Sequence, residues 1–152
     1  MTIASDKAEA DLSLRAPRDS ADWQAIHGLR RRALFDNNVV YDENHADDRN
    51  PDHRVFALIA DGALIGTLRI DFTHPVWAAI RLVAVAPERR GLGFGTAMMG
   101  MAEAFIRDKG WRQVRLHAKS DAVGFYRHCG YRDVHWEEPP QDPNGVNMGK
   151  DL

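Results

Sequence analysis

The sequence predicts an α/β domain of the α+β kind, one mixed sheet with helices on its faces. Three observations predict it. Segments with strand alternation and segments with helical spacing follow one another in the order βα, hairpin, βαβαββ. Asp61-Gly62 separates two apolar runs, the strongest short hairpin signal. The stretch "PERRGLGFGTAMMG", Pro87 to Gly100, sets Arg89, Arg90, Gly91, Gly93 and Gly95 between an apolar strand and a long helix.

Each element follows from its local pattern. Residues 1–11 are polar and expected to be flexible, within a single domain spanning 1–152. "LSLRAP" alternates and predicts the first strand. Asp19 or Ser20 can cap a helix whose apolar face is Trp23, Ile26, Ala33 and Leu34, with Leu29 or Arg30 filling the turn between. Arg30, Arg31 and Arg32 read as a solvated helix face. Asp36 to His53 is rich in breakers and charge, and reads as a long loop with at most a short helical turn. The hairpin strands are expected near Arg54–Ala60 and Ala63–Phe72. "VWAAIRLVAVAP" is a further strand, stopped by Pro87. A helix from about Gly93 to Lys109 carries the stripe Met98, Met101, Ala102, Phe105 and Ile106. "WRQVRLHA" is a strand, "DAVGFYRHC" a short helix, "YRDVHWEE" a strand and "VNMGKDL" a last strand, with "PPQDPNG" a loop before it.

Bulk properties narrow the function classes. The chain has 152 residues, 44% hydrophobic and 28% charged, with a net charge of −2. A chain of that length buries roughly 70% of its unfolded surface, enough for a core without staples. The charge balance gives no general attraction to nucleic acid or anionic lipid, so any anion site must be local. The single cysteine, Cys129, excludes an internal disulfide. With no signal-like N-terminus, a reducing cytoplasmic setting is expected. The longest apolar run, Val55 to Ala60, is too short to span a bilayer.

The glycine-rich turn lies at the carboxyl end of a strand and opens a helix, where ligands of α/β sheets bind. Helix N-termini offer unpaired N–H groups and a positive dipole end, which suits phosphate. Glycines allow close backbone approach. A P-loop is rejected because Gly95-Thr96 lacks the lysine. The dinucleotide fingerprint fails because Thr96 stands where its last glycine belongs. The stretch Arg90-Gly-Leu-Gly-Phe-Gly95 instead resembles the acyl-CoA motif Gln/Arg-x-x-Gly-x-Gly/Ala of the GNAT superfamily of N-acetyltransferases, with Arg90, Gly93 and Gly95 in register. Downstream, Ala118 to Tyr131 resembles the same family's Asn-x-x-Ala-x-x-x-Tyr-x-x-x-Gly-Phe/Tyr signature, with Ala122, Tyr126, Gly130 and Tyr131 in register.

That resemblance implies the acyl-CoA N-acyltransferase fold: a mostly antiparallel mixed sheet of six or seven strands, about four helices on both faces, and a splay between the family's fourth and fifth strands. It implies acetyl-CoA as co-substrate, a primary amine of a small molecule or peptide as acceptor, and direct transfer in a ternary complex. The loop amides of Gly91, Leu92, Gly93, Phe94, Gly95 and Thr96, with Arg90, would hold the pyrophosphate. Backbone groups of Val83, Ala84 and Val85 would hold the pantetheine arm. Ala122 falls in the second motif, and Lys119 stands where the family has Asn or Gln. Tyr126 is the candidate general acid, a phenol that is protonated at neutral pH because it titrates near ~10. Alternatives are a cofactor-binding module with little catalysis, or acetylation of protein N-termini.

The acceptor's base is open. Trp77 to Ile80 carries no carboxylate, which leaves Asp71, Glu43, Asp47, His74 or a water chain. A site without a strong base suits an α-amino group of pKa about 7.7–8.0 better than a lysine amine near ~10.4. The first helix, the 36–53 loop and the 137–147 loop are expected to wall the acceptor site. Cys129 reads as a small buried hydrophobe rather than an acyl carrier. The scattered histidines predict no metal. Trp77 and Trp136 mark either a homodimer contact or core.

Overall fold

The structure is a computed structural model that describes residues 2–4, 11–35 and 40–152. Eight strands form one sheet in the order β1-β2-β3-β4-β5-β6-β8-β7. The strands are β1 (Thr2–Ala4), β2 (Asp11–Arg15), β3 (His53–Ala60), β4 (Ala63–Asp71), β5 (Ala78–Val85), β6 (Gln113–Ala118), β7 (Arg132–Asp133) and β8 (Val146–Asp151). Every neighbouring pair is antiparallel except β5 and β6. β1 pairs with β2 from Thr2↔Ser13 to Ala4↔Asp11. For Met1 and residues 5–10, the expectation of a flexible N-terminus lies outside the described residues.

Three α-helices are present among the described residues: α1 (Ser20–Leu34), α2 (Phe94–Asp108) and α3 (Val123–His128). About four helices were expected. The charged segment before β3 supports only a 3-10 turn, Ala46–Arg49, in a stretch whose Asp and Asn side chains bond local backbone amides. Asp19 caps α1 by accepting from the Asp22 amide at 2.9 Å. The strand expected over "YRDVHWEE" is cut to Arg132–Asp133. Beyond Val134 the Asn147 side chain, not a strand, takes the carbonyls of Trp136 and Glu138.

The sheet has a core on each face. On one, α2 and α3 press Met98, Met101, Ala102, Ile106 and Tyr126 onto Phe56, Leu68, Ile80 and Leu116. Met98, Ala102 and Ile106 are fully buried, and burying each Met or Ile of that stripe contributes about 1.5–3 kcal/mol. On the other face, α1 sets Ile26 against Val55, Ala57 and Ile59.

Arg30 corrects the solvated-face reading of α1. It is 1% exposed and forks onto Asp48 at 2.9 and 3.1 Å, with a third bond to the Tyr41 hydroxyl at 3.0 Å. The 3-10 turn that carries Asp48 is therefore tied to α1 by a buried ion pair. Arg31 and Arg32 do face solvent, where they meet Glu43 and Glu88.

Two measurements check this packing. Asp48→Ala leaves a buried guanidinium without its counter-charge and is expected to cost about 3–5 kcal/mol, a melting-point drop of roughly 6–20 °C. A drop under 2 °C would contradict the pair's role. Burial also raises the phenols of Tyr41, Tyr126 and Tyr131 above their ordinary values. Unfolded phenols titrate near ~10, so above that pH unfolding releases protons and stability falls as pH rises; below it this contribution is constant. The native protein is thus expected to show less tyrosinate absorbance at pH 10 than the urea-unfolded chain.

Candidate active site

The parallel ladder between β5 and β6 stops almost where it starts. Only Ala78↔Val114 and Ala79↔Arg115 pair. From Ile80 onward the strands diverge. β5 is bent there by a bulge: Thr67 and Arg69 of β4 oppose Ala84 and Arg81, so β5 carries one extra residue. Leu82 within the bulge has φ of +55°, a conformation costing a non-glycine residue roughly 1–2 kcal/mol. The local strain accompanies a change in strand direction, and the gap it opens belongs to a cavity of about 1320 Å³.

The sequence-predicted residues gather around this cavity. Val83, Ala84 and Val85 line it from β5, and Arg90, Gly91, Gly93, Phe94, Gly95 and Thr96 line it from the turn into α2. Lys119, Ala122 and Tyr126 line it from the segment after β6. Leu92 does not; its side chain is 59% exposed. Lys119 donates to the Leu34 carbonyl at 3.0 Å, tying the segment after β6 to the end of α1.

Gly93 is the N-cap of α2 in the left-handed region, φ +85°, and no side chain caps the helix there. Only glycine adopts that conformation without strain. The first-turn amides of α2 thus face the cavity without intrahelical partners. Arg89 and Arg90 make no ion pair among the described residues. A Cβ on Gly95 would meet the Phe125 ring at 3.1 Å, so this glycine lets α3 pack close to the start of α2. These features fit a pyrophosphate followed by an extended amide-bearing arm: uncapped amides, unpaired cations, and a strand edge without a ladder.

That packing brings Tyr126 to the gap. It is 7% exposed, and its hydroxyl makes no hydrogen bond among the described residues. Burial raises its pKa, so the hydroxyl remains a donor. Full proton transfer to a thiolate with a conjugate pKa of ~8.5 would run uphill by about 2 kcal/mol even from an unperturbed phenol. A protonated phenol in this place can instead donate a hydrogen bond, which strengthens as negative charge builds on its acceptor. Tyr131 instead spends its hydroxyl on Glu103 at 2.7 Å. The half-buried Cys129 has its thiol pushed up by burial, which disfavours the nucleophilic thiolate.

The opposite side of the gap, under α1, is charged. Asp71 is 4% exposed and accepts from Arg69 Nε at 2.7 Å, Arg69 Nη2 at 3.0 Å and Arg81 Nε at 2.8 Å. Those three bonds engage both of its carboxylate oxygens. Asp47 lines the cavity and lies 3.7 Å from Arg69. Glu43 and His74 lie outside the cavity: Glu43 is held by Arg31, and His74 stacks on Trp77 at 3.4 Å. Trp77 and Trp136 are both half-buried and meet edge to face. Sequence reasoning missed Arg81, His117 and Glu138, which all line the cavity. A lone arginine in "AAIRLVAV" and a histidine on the outward phase of "QVRLHA" were the available signals.

Among the described residues no group of His, Cys, Asp and Glu is arranged to hold a metal, and no helix is long and apolar enough to cross a membrane.

Comparison with known proteins agrees with this geometry. Residues 21–131 match the acetyltransferase (GNAT) family. Serotonin N-acetyltransferase 2 of Oryza sativa subsp. japonica is 35% identical over 101 residues, covering 66% of this chain and 45% of that protein. The chain spans less than half the length of the curated relatives it matches. An acyl-CoA N-acyltransferase from Pseudomonas aeruginosa superposes with a TM-score of 0.74 at 20% identity, over 93% of this chain and 99% of that one. Spermidine N-acetyltransferase from Vibrio cholerae, solved in complex with CoA and spermine, does so with a TM-score of 0.71 at 21% identity, over 92% and 95%. The two structures share the fold, and the family match spans most of the chain: it belongs to the acetyltransferase (GNAT) family.

Proposed function

We propose that this protein transfers an acetyl group from acetyl-CoA to a primary amine by direct attack within a ternary complex in the cytoplasm. The carrying observation is the convergence on one cavity of the uncapped α2 N-terminus, the unladdered edge of β5 and the unpartnered Tyr126 hydroxyl. Membership of the family supports it, as do relatives whose names specify serotonin and spermidine as acceptors.

Acetyl-CoA would supply an activated thioester carbonyl. The chain's own groups do the rest. The amides of Gly93 to Thr96, with Arg90, bind the pyrophosphate. Backbone groups of Val83 to Val85 orient the pantetheine arm as an added strand would be oriented. An N–H there polarises the thioester oxygen. Tyr126 donates to the sulfur as the C–S bond breaks. The acceptor enters from the α1 side, where Asp47, Asp71 and Glu138 give the cavity wall carboxylate character that favours a cationic amine.

Two variants separate binding from chemistry. Gly93→Ala forces a side chain into φ +85° and disturbs the cradle; the CoA dissociation constant by calorimetry is expected to rise about tenfold, with 1–2 kcal/mol of strain. Tyr126→Phe removes one charge-assisted donor, so kcat is expected to fall about 10- to 100-fold with acetyl-CoA affinity retained. CoA release with a panel of primary amines is the assay. Acetyl-CoA binding without transfer to any amine or peptide would favour a binding module instead.

A further inference from the structure

His117 occupies the rim of the gap on the acceptor side. It lies two residues beyond Arg115, the last β6 residue paired with β5. Val114, Leu116 and Ala118 pack into the core under α2 and α3, so the alternating side chains of Arg115 and His117 face the other way, toward α1. Tyr126 belongs to the α2 core. The two residues therefore flank the gap from opposite faces, as an attacking amine and a departing thiolate require.

The ring is fixed in one tautomer. Asn147 Nδ2 donates to the carbonyls of Trp136 at 3.1 Å and Glu138 at 3.0 Å. Its Oδ1 is thus the acceptor for His117 Nδ1–H at 2.6 Å. Trp136 stacks on the imidazole at 4.3 Å and 9°, which blocks rotation. In the neutral ring, the lone pair then resides on Nε2. That atom lies 3.5 Å from Glu138 Oε2, while both oxygens of Glu138 are anchored by Arg81 Nη2 at 2.9 and 3.1 Å. Two acceptors facing each other at this distance repel. A proton on Nε2, or the N–H of an incoming ammonium between them, turns the repulsion into attraction.

We propose that His117 is the general base toward the acceptor amine, with Glu138 as the residue that positions the ammonium and stabilises the imidazolium. This rests on the transferase reading above. Nε2 takes one proton of the ammonium and releases it through water to solvent; the freed nitrogen lone pair forms the C–N bond; the C–S bond breaks with its electron pair going to sulfur, and Nε2 takes the second N–H proton as the amide forms. The imidazolium proton returns through water to the thiolate, completing the thiol. Two other histidines line the cavity: His45 is exposed and its Nδ1 accepts from the Asp47 amide at 3.1 Å, and His53 is on β3, two strands and about 10 Å from the gap. Its Nδ1 is held by the Asp47 carbonyl at 2.8 Å. The charged and titratable groups around His117 are Glu138, Arg81 with Asp71 behind it, and Arg115 on its own strand.

The test uses the pH dependence of kcat/KM in the full-length protein, with acetyl-CoA affinity by calorimetry and the ¹⁵N shifts of the His117 ring as readouts independent of turnover. His117→Asn is expected to lower kcat/KM about 10²- to 10³-fold near neutral pH and to move the acid limb up to the amine's own pKa. The deficit should narrow as pH approaches the amine's own pKa, and acetyl-CoA affinity should stay within twofold. Glu138→Gln removes the charge that holds the ammonium, so KM for the amine is expected to rise about tenfold with kcat within about threefold. The ring at pH 8 is expected as the Nδ1–H tautomer. An acid limb with the wild-type midpoint in His117→Asn, an unchanged KM for the amine in Glu138→Gln, or an Nε2–H tautomer overturns the assignment while leaving the transferase reading intact. Wild-type protein that binds acetyl-CoA and acetylates no amine overturns that reading, and this one with it.

Discussion

The site depends on a ladder that is broken off. β5 and β6 begin as a parallel pair and separate after two residue pairs. Sheet backbone normally satisfies its N–H and C=O groups by pairing, and a buried group left alone costs about 1–3 kcal/mol. Here the released edge opens onto a cavity rather than into the core. The bulge at Leu82 turns β5 away, and the start of α2 and the Tyr126 helix occupy the far side of the opening. The pairing groups on that edge are therefore open to an extended ligand that carries its own amides.

A second constraint is electrostatic. Under α1 a line of charges alternates across the sheet: Asp47, Arg69, Asp71, Arg81, Glu138 and His117. Arg69, Asp71 and Arg81 are each held by opposite charge on both sides, which fixes them in position where burial alone would penalise them. Asp71 is the inert centre of this line, and its outer end at His117 is the part left open to a new partner. The Arg30–Asp48 pair does a related job one layer away, locking the turn that carries Asp47 onto α1. That side of the cavity is thereby tied to the helix.

Much of this was legible in the sequence, for stated physical reasons. Strands β3 and β4 follow from Asp61-Gly62 between apolar runs, and α2 from its Met98–Ile106 stripe. The glycines of the turn into α2 have two separate reasons: Gly93 sits at a positive φ, and Gly95 lies against the Phe125 ring. Side-chain pairing across the sheet was not legible. Arg30 looks like Arg31 and Arg32 in a linear reading; only the fold brings Asp48 beneath it. Asp71 looked like an available base until Arg69 and Arg81 were seen to surround it. His117 and Glu138 are 21 residues apart in sequence, and their meeting depends on a loop whose path is set by Asn147 and Trp136.

The central claim is that the unpaired backbone of β5 and the uncapped start of α2 form one binding surface. Backbone amide resonances followed while CoA is titrated into the isotopically labelled protein test it most directly. The account predicts that the largest shifts fall on Val83 to Val85 and on Gly91 to Thr96. Saturation by CoA with those amides unmoved, or no response at millimolar CoA, would contradict it.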